Sequence, residues 1–405
     1  MSGAQPTSDP SVEQPEAAKS ADQPTASTSN PATTSGAPDL PAATPSAAGA
    51  AAAEAEAAAA ATTAAHAAGD VPAAPVPALL PASHWADLPQ APRDDDTDSA
   101  QGDNASSTAS MSSSILQYRT IHGRTYHSER GNASYWSPND EAQNEALDII
   151  HHVLTLSLDN KLHIAPLGDN IQKVLDIGTG TGIWAIDFAD EHPNCEVIGT
   201  DLSPTQPTWI PPNLKFEIDD CTQEWTFAEN SFDYIHIRWL FGSIADWTHL
   251  FQQAYRSLKP GGYLESQEAS IMFHSDDGSV HEKTAMAQFG KFFLEAAKVI
   301  GRSFTVVEDG TQRKAMEEAG FVDIQEKDLK TPIGPWPTDP KQLEIARFQQ
   351  MAVEQDTEGT LNMVASLQGW TPTEVAVYVA HLRRELRSKS IHGYYPQKIV
   401  WARKP

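Results

Sequence analysis

Residues 173–182 read KVLDIGTGTG, and this stretch decides the fold. Its first five residues form a short apolar run of the kind that makes a buried strand. The three glycines that follow, Gly178, Gly180 and Gly182, allow the backbone to approach a ligand closely. The next residues begin a helix, whose first N–H groups have no partner within the helix. This order predicts the first strand–turn–helix unit of an α/β sheet.

Further apolar runs follow at the spacing of strands, at 196–201, 214–218, 232–237 and 262–267. Between the last two, apolar residues recur at helical intervals, and a Pro-Gly-Gly turn ends that helix. Strands that alternate with helices predict a doubly wound, mostly parallel sheet with helices on both faces. Two late strands, over 321–327 and 398–403, predict an antiparallel edge and bring the sheet to seven strands.

The first 110 residues have a different composition from the rest of the chain. They hold 14 acidic and two basic residues, 14 of the 29 prolines, and a single aromatic residue, Trp85. So few large apolar groups cannot offset the entropy lost on ordering. The sequence predicts a disordered region over 1–112, an N-terminal lid and helix segment over 113–170, and the α/β domain over 171–405. A helical insertion over about 280–390 is expected to cap that domain.

Charge and composition exclude several classes of function. The net charge of −26, with 28 Lys+Arg against 54 Asp+Glu, disfavours direct nucleic-acid binding. The sequence has no apolar run long enough to cross a membrane and no secretory signal. Its two cysteines, Cys195 and Cys221, have no metal-binding spacing and are typical of a reducing compartment. We expect an intracellular protein, nuclear or cytoplasmic, without a metal, a membrane partner or a nucleic-acid partner.

The spacing of the glycines indicates the ligand. A dinucleotide site uses G-x-G-x-x-G, but this chain has G-x-G-x-G, with Ile183 at the last dinucleotide position. Asp176 precedes the loop, where a carboxylate repels a pyrophosphate and accepts hydrogen bonds from an ammonium group. The pattern therefore predicts a nucleoside with a cationic amino-acid tail, which is S-adenosylmethionine. A nicotinamide-dependent oxidoreductase is the alternative that Ile183 disfavours.

Acidic residues at the ends of the next two strands agree with that ligand. Asp201 ends the second strand, where its carboxylate can accept from both ribose hydroxyls, and Asp219 and Asp220 end the third, where an acceptor can hold the adenine amino group. Each is alternatively a solvated residue at a strand end. The predicted cofactor-binding residues of this part of the chain are Asp176, Gly178, Thr179, Gly180, Gly182, Asp201, Leu202, Asp219, Asp220 and Cys221.

With these motifs the sequence resembles the class I S-adenosylmethionine-dependent methyltransferases, which have a Rossmann-like fold. More narrowly, it resembles the fungal LaeA-like methyltransferases, named for a regulator of secondary metabolism. The resembling residues are 118–124, 126–127, 138–140, 151–152, 219–220, 224–225, 235–238, 242–243, 246–247, 264–265, 267–268, 395–396, 400–401 and 403–405. The resemblance implies a variable, disordered N-terminal region and a segment laid over the cofactor, with Tyr126 and His127 as lid contacts. It also implies a small-molecule or protein methyl acceptor and a role in secondary metabolism or its regulation, with regulatory protein partners.

The residues after the fourth strand exclude some acceptors and leave the catalytic residues open. DNA and protein-amide methyltransferases of this fold carry Asn/Asp-Pro-Pro-aromatic there, and arginine methyltransferases carry two glutamates. Residues 236–245 contain neither. The catalytic candidates are His236, Arg238 and His274, each with a structural explanation as well: a hydrogen-bonded strand residue, a partner of a carboxylate such as Asp246, and an exposed loop residue. A cofactor-binding regulatory subunit that works through partner assembly is the alternative to an enzyme.

Overall fold

The computed structural model describes residues 78–89, 118–127 and 135–405. The strands of these residues are β1 (Arg119–Ile121), β2 (Arg124–Tyr126), β3 (Lys173–Ile177), β4 (Glu196–Asp201), β5 (Leu214–Ile218), β6 (Phe232–Arg238), β7 (Leu258–Ala269), β8 (Val322–Pro332) and β9 (Tyr394–Arg403). The helices are α1 (Ala82–Ala86), α2 (Glu141–Ser157), α3 (Ile183–Glu191), α4 (Trp247–Ser257), α5 (Ala285–Ile300), α6 (Thr311–Ala319), α7 (Pro340–Gln355), α8 (Thr357–Ser366) and α9 (Pro372–Leu386). Within these ranges, none of the helices combines the length and apolar character that a membrane span needs.

Seven strands form one sheet in the order β5-β4-β3-β6-β7-β9-β8. The pairs from β5 to β7 are parallel, whereas β9 runs antiparallel to both β7 and β8. The predicted fold class is therefore confirmed, including the antiparallel edge. Because β3 has β4 on one side and β6 on the other, the chain reverses direction across the sheet at β3. Open α/β sheets bind their ligands at the carboxyl ends of the strands beside such a reversal.

Strand β3 is buried on both faces. Val174 packs in the apolar cluster around Trp184 and Phe188 of α3, while its neighbour Leu175 packs in the larger cluster on the other side of the sheet. Successive side chains of a strand point to opposite faces, so a strand covered by helices on both sides is a continuous apolar run. This is why residues 173–177 carry a clear signal in the sequence.

One arginine, Arg124, connects helix α2, the β1-β2 hairpin and the helical insertion that covers the domain. The Asp140 side chain caps α2 by accepting a hydrogen bond from the Gln143 backbone N–H over 3.3 Å. The Arg124 guanidinium, from β2, donates to both carboxylate oxygens of Asp140 over 2.5 Å. It also donates over 2.5 and 2.9 Å to Asp356, which caps α8. The hairpin, α2 and the start of α8 are thus held at one point.

The predicted helical insertion over 280–390 is not continuous. Helix α6 packs against α4, and β8 forms the edge of the sheet, so both belong to the α/β layer. They divide the cap into two parts, α5 and the run from α7 to α9. The sequence prediction grouped all of these elements because the stretch is rich in helical spacing, which does not report what a helix packs against.

Part of the region predicted to be disordered is ordered. Residues 78–89 contain α1, and the Trp85 side chain is 1% exposed and lies edge-on to Tyr378, with ring centroids 5.1 Å apart. The Trp85 carbonyl oxygen lies 3.0 Å from Nε2 of His381, and the Leu80 N–H donates to Gln288 over 2.9 Å. The prediction of disorder is wrong for these residues. Residues 1–77 and 90–112, to which the same prediction applies, lie outside the described residues.

Candidate active site

A cleft of about 1150 Å³, open to solvent, lies at the carboxyl ends of β3, β4, β5 and β6. The loop after each of these strands contributes to its wall, and α2 closes it from the other side. This is the edge at which the sheet order places a ligand site. Of the predicted cofactor-binding residues, the structure brings these to the wall of the cleft: Gly178, Thr179, Gly180, Asp201, Leu202, Asp219, Asp220 and Cys221.

The glycine loop is shaped by close contacts beneath it. Gly178 has φ of +68°, and a Cβ there would lie 2.6 Å from Cδ2 of Leu240. Gly182 has φ of +82° and caps α3, where a Cβ would lie 2.4 Å from the Phe216 ring. Gly182 is therefore needed for packing and does not line the cleft, and its binding of cofactor stays a prediction. Its part is to let the loop turn into the helix.

Asp201 is held in place by the glycine loop itself. Its Oδ2 accepts from the Gly180 N–H over 2.8 Å, and its Oδ1 accepts from the Ser203 N–H over 3.0 Å. Burial raises the pKa of the Asp201 carboxyl to about 6, and these backbone donors oppose part of that rise. At neutral pH the group is therefore an ionised acceptor with a defined orientation, as a ribose site requires.

The loop after β5 supplies the next part of the wall. Asp220 Oδ1 accepts from the N–H and the hydroxyl of Thr222, over 3.0 and 2.7 Å, and Asp219 Oδ1 accepts from the Asp220 N–H over 2.9 Å. Burial raises the pKa of the Cys221 thiol well above its usual range. Cys221 is thus a neutral, weakly polar wall residue and not a nucleophile.

Asp176 and His236 are behind the loop rather than in the cleft. Asp176 is 2% exposed, and its carboxylate accepts from the Thr179 hydroxyl over 2.6 Å and lies 2.7 Å from Nδ1 of His236. The His236 ring stacks on Trp184 at a centroid distance of 3.8 Å. Burial lowers the pKa of His236, although Asp176 opposes this. Both side chains therefore support the loop from below and do not line the cleft, and ligand binding by Asp176 and catalysis by His236 stay predictions.

Arg238 does reach the cleft. Its Nη2 donates to Nδ1 of His151 over 3.0 Å, and Nε2 of His151 lies 2.8 Å from Oδ2 of Asp187. Burial lowers the pKa of Arg238 to about 10, so the guanidinium stays charged at neutral pH. Asp246, the carboxylate that the sequence offered as its partner, instead caps α4 by accepting from the His249 N–H. Among the described residues, no ion pair neutralises Arg238, and a charge beside the cleft is therefore available to a ligand.

Two further predicted residues lie elsewhere. Tyr126 is fully buried in the main apolar cluster and is absent from the cleft wall, whereas its neighbour His127 lines it and accepts from the Tyr135 N–H over 2.8 Å. His274 is exposed, and its backbone pairs with that of Tyr394 at the start of β9. The structure thus does not bring Tyr126 or His274 to the wall of the cleft, and cofactor binding by Tyr126 and catalysis by His274 stay predictions. Successive side chains of a strand point to opposite faces, and the position of Tyr126 in β2 directs its side chain into the core.

Sequence reasoning missed the lid side of the cleft. These residues come from the segment before α2, from α2 itself and from the loop after β6, and they are Tyr135, Asn139, Asn144, Leu147, Ile150, Trp239, Ser243 and Ile244. The apolar stripe of α2 was visible in the sequence, but its contact with the glycine loop was not. Thr181 of that loop donates to Asp148 of α2 over 2.7 Å. The lid is thus joined directly to the loop that it covers.

A second cavity, of about 870 Å³, adjoins the cleft. We call it the aromatic cavity. Tyr135, Leu147, Ile150 and Trp239 line both spaces. Trp239 has φ of +60°, a conformation that bulky residues rarely adopt and that is often retained at functional sites. It directly follows β6, so the strained residue stands at the boundary between the two spaces.

The sheet order and the cleft together define a class I methyltransferase fold, and comparisons with known proteins agree. The model of a methyltransferase domain family matches residues 141–326. The chain is 38% identical over 312 residues to methyltransferase pytC of Aspergillus terreus, which covers 76% of this chain and 95% of that protein. It is 34% identical over 286 residues to the secondary metabolism regulator laeA of Aspergillus fumigatus, which covers 70% of this chain and 76% of that protein.

The chain therefore belongs to the LaeA-like methyltransferase family, and the predicted resemblance is confirmed. Among solved structures, it is similar to phosphoethanolamine N-methyltransferase 2 of Haemonchus contortus, with a TM-score of 0.37 and 22% identity, over 65% of this chain and 52% of that one. A match of that strength adds nothing to the sheet order described above.

Proposed function

We propose that this chain transfers the methyl group of S-adenosylmethionine to an acceptor, in secondary metabolism or its regulation. The observation that carries the proposal is the cleft itself: a glycine loop, an ionised Asp201 and a charged Arg238 face one space at the carboxyl edge of the sheet. This ligand requires a protein carboxylate that accepts from its ribose hydroxyls and a protein cation that binds the carboxylate of its amino-acid tail.

The donor set of the cleft fits S-adenosylmethionine. Under this proposal Asp201 accepts from the ribose hydroxyls, and Leu202 and Ile244, which line the same cleft, contact the flat base. Two buried oxygens, Oδ1 of Asn139 and Oγ of Ser243, line the cleft and have no hydrogen-bond partner within the described residues. Buried polar atoms are rarely left unpaired, so these oxygens are suited to accept hydrogen bonds from amino or hydroxyl groups of a ligand.

We assign to Arg238 the binding of the carboxylate in the amino-acid tail of S-adenosylmethionine. Its guanidinium is directed by His151, which in turn is held by Asp187 of α3. Since Nδ1 of His151 accepts from Arg238, its proton must be on Nε2, facing Asp187. The lowered pKa of His151, which follows chiefly from burial, favours this neutral form. The arrangement replaces the sequence-based assignment of the amino-acid tail to Asp176.

When bound, S-adenosylmethionine supplies a methyl group on a sulfonium: the carbon–sulfur bond breaks with its electron pair left on sulfur, and the acceptor atom forms the new bond and releases any proton it carries to solvent. The residues of this chain contribute position. Trp239 and the α2 residues Leu147 and Ile150 line both spaces, so they set the line between donor and acceptor. Holding two reactants in line can provide most of the acceleration of such a displacement.

Calorimetry of the full chain with S-adenosylhomocysteine and with NADP tests the proposal. We expect binding of S-adenosylhomocysteine, at least tenfold weaker binding for Asp201→Ala, and no change for the control Asp190→Ala, an exposed acidic residue of α3. Binding of NADP alone would contradict the proposal. Tritium transfer from labelled S-adenosylmethionine into small-molecule or protein fractions then separates an enzyme from a regulatory subunit, a role that the name of the laeA relative favours. Binding without transfer would support the regulatory subunit.

A further inference from the structure

The aromatic cavity has a composition that restricts its occupant. It is bounded by the segment before α2, by α2, by the end of β7 and by α5, α7 and α8. The residues that line it are Tyr135, Trp136, Ser137, Gln143, Ala146, Leu147, Ile150, Trp239, Phe241, Ala269, Ser270, Ile271, Phe273, Phe289, Phe293, Gln349, Ala352, Val353, Thr357, Thr360 and Tyr395. Like most sites that hold small organic molecules, it is lined mainly by apolar and aromatic side chains.

None of these lining residues is an aspartate, glutamate, lysine, arginine or histidine. An ammonium or guanidinium group placed there would lose its water without gaining an anionic partner, and burial of an unpaired charge is strongly unfavourable. The same holds for a carboxylate or phosphate, since no cation faces the space. The cavity therefore disfavours lysine and arginine side chains as acceptors, and it disfavours anionic metabolites.

The walls are instead built from aromatic rings. Trp136 meets Phe293 edge-on, with ring centroids 5.2 Å apart, and contacts Phe241 at 5.8 Å. On the far side Phe273 and Phe289 lie 5.4 Å apart. Rings stack on or meet the edges of other rings with additional stabilisation beyond burial of area. Such walls select a molecule that is itself flat and apolar over most of its surface.

Two polar atoms in the walls indicate that the occupant also has hydrogen-bonding groups. Nε1 of Trp239 and Oε1 of Gln143 are buried and have no partner within the described residues. Trp239 offers a donor at the boundary with the cleft, and Gln143 offers an acceptor on α2. A ligand with a carbonyl or hydroxyl oxygen beside a ring satisfies both kinds of atom.

We propose that the methyl acceptor is an uncharged small molecule with a conjugated or aromatic ring system and at least one hydroxyl or carbonyl oxygen, bound in the aromatic cavity. The inference rests on the proposed function, since it takes the cleft as the methyl-donor site. It extends that function by naming the class of acceptor and by excluding charged protein side chains. The indole Nε1–H of Trp239 donates a hydrogen bond to the oxygen of the acceptor at the boundary where the two spaces meet.

The test uses three probes of the same ring size that differ in charge: 1-naphthol, the 1-naphthoate anion and the 1-naphthylmethylammonium cation. Each is titrated by calorimetry into the full chain, with and without saturating S-adenosylhomocysteine. We expect 1-naphthol to bind and both ions to bind at least tenfold more weakly. Equal binding of either ion, or no binding of 1-naphthol, overturns the inference.

A matched pair of variants locates the binding. Ala352→Phe fills the cavity from α7 and is expected to weaken 1-naphthol binding at least tenfold while leaving the affinity for S-adenosylhomocysteine within twofold. Ala376→Phe, at an exposed position of α9, is expected to change neither. Unchanged 1-naphthol binding in Ala352→Phe overturns the inference. If Ala352→Phe does not fold, Thr360→Leu on α8 tests the same wall with the same two outcomes.

The two proposals fail in different ways. If S-adenosylhomocysteine does not bind, the proposed function is wrong, and the cavity is then no acceptor site even where 1-naphthol binds. If S-adenosylhomocysteine binds but the probes show no preference for the neutral ring, only the acceptor class is wrong.

Discussion

The Arg238 guanidinium donates a hydrogen bond to Nδ1 of His151 over 3.0 Å, and this contact joins the end of β6 to the lid helix α2. The contact orients the positively charged Arg238 side chain in the cleft, and the residue that orients it, His151, lies on another element. Since the opposite ring nitrogen of His151 lies 2.8 Å from Asp187 on α3, the imidazole is held from both sides. Under the proposed function, a ligand held by Arg238 is coupled to the position of α2 through this one histidine.

Loss of His151 should weaken binding of the amino-acid end of the ligand. We expect His151→Ala to lower the affinity for S-adenosylhomocysteine by roughly tenfold, the effect of one charge-assisted contact. The affinity for 5′-methylthioadenosine, which lacks the amino-acid tail, should be unchanged. His152→Ala, at the exposed neighbouring position, is the control. An equal loss for both ligands in a calorimetric titration would show that His151 has no part in holding the tail.

Protonation of Asp201 should weaken cofactor binding. The pKa of Asp201 is raised to about 6, chiefly by burial, and its ionised form is the acceptor for ribose hydroxyls. The affinity for S-adenosylhomocysteine should thus be constant above pH 7 and fall by up to about tenfold per pH unit below about 6. Asp201→Asn should bind more weakly and show a flat profile from pH 5 to 7.5. A slope that survives in Asp201→Asn would assign the titration to another group.

Two buried glutamates should make the folded chain less stable as the pH rises. Glu268 accepts from the Phe241 N–H over 2.9 Å, and burial raises its pKa from 4.5 to about 8. The pKa of Glu265 is raised by burial to about 7. Because the folded state holds these protons more tightly than the unfolded chain, the stability they contribute is complete below pH 4.5 and is lost as the pH rises through 7 and 8.

Denaturation of Glu268→Gln at several pH values tests this. Each group contributes a slope of up to about 1.4 kcal/mol per pH unit. The variant should lose less stability than the unmodified chain between pH 5 and 9, with the remaining slope owed to Glu265. Glu229→Gln, at an exposed position, should keep the full slope. An unchanged slope in Glu268→Gln would mean that Glu268 is already ionised in the folded state over this pH range and would contradict the prediction.

Arg124 should stabilise the lid far more than an exposed ion pair does. It contacts both Asp140 and Asp356, and the side chain of Asp356 is only 4% exposed, so Arg124→Ala leaves a buried carboxylate without its partner. We expect a loss of about 2–4 kcal/mol in the free energy of unfolding. Arg313→Ala removes an exposed pair with Glu317 on α6 and should cost about 0.5 kcal/mol or less. Equal losses in urea denaturation would contradict the account of the lid.

Trp85 should hold residues 78–89 on the cap. Its side chain is 1% exposed against Tyr378 of α9, so Trp85→Ala should release the segment and cost about 2–4 kcal/mol. Ser83→Ala, at an exposed position of α1, should have a small effect. Limited proteolysis of the full chain shows the difference as cleavage near residue 85 in the first variant and protection in the second. Equal cleavage in both would place the segment off the cap.

The elements that carry chemistry at strand ends could be predicted from the sequence, because they depend on local order alone. Gly178, Gly180 and Asp201 follow from a strand, a turn and a second strand, and the structure brings them to one cleft. Asp176 and His236 could not be assigned, because a side chain at a strand end faces either the cleft or the layer beneath it, and only packing against Trp184 decides which.

The acceptor side of the site could not be predicted from short stretches of the sequence. The aromatic cavity is assembled from residues more than 150 positions apart, such as Trp136 and Phe289 or Ala146 and Val353. Each of these residues reads alone as an ordinary core residue, and only the fold shows that together they leave a space. Trp85 shows the same limit. It lies in a region poor in apolar residues, yet its side chain packs against a helix almost 300 residues away in the sequence.

A crystal structure of the full chain with S-adenosylhomocysteine tests the central claim most directly. The account predicts that the ribose hydroxyls contact Asp201, that the amino-acid carboxylate contacts Arg238, and that the sulfur atom lies beside Trp239, facing the aromatic cavity. A ligand bound outside the cleft, or bound in it with the sulfur atom turned away from the aromatic cavity, would contradict the account.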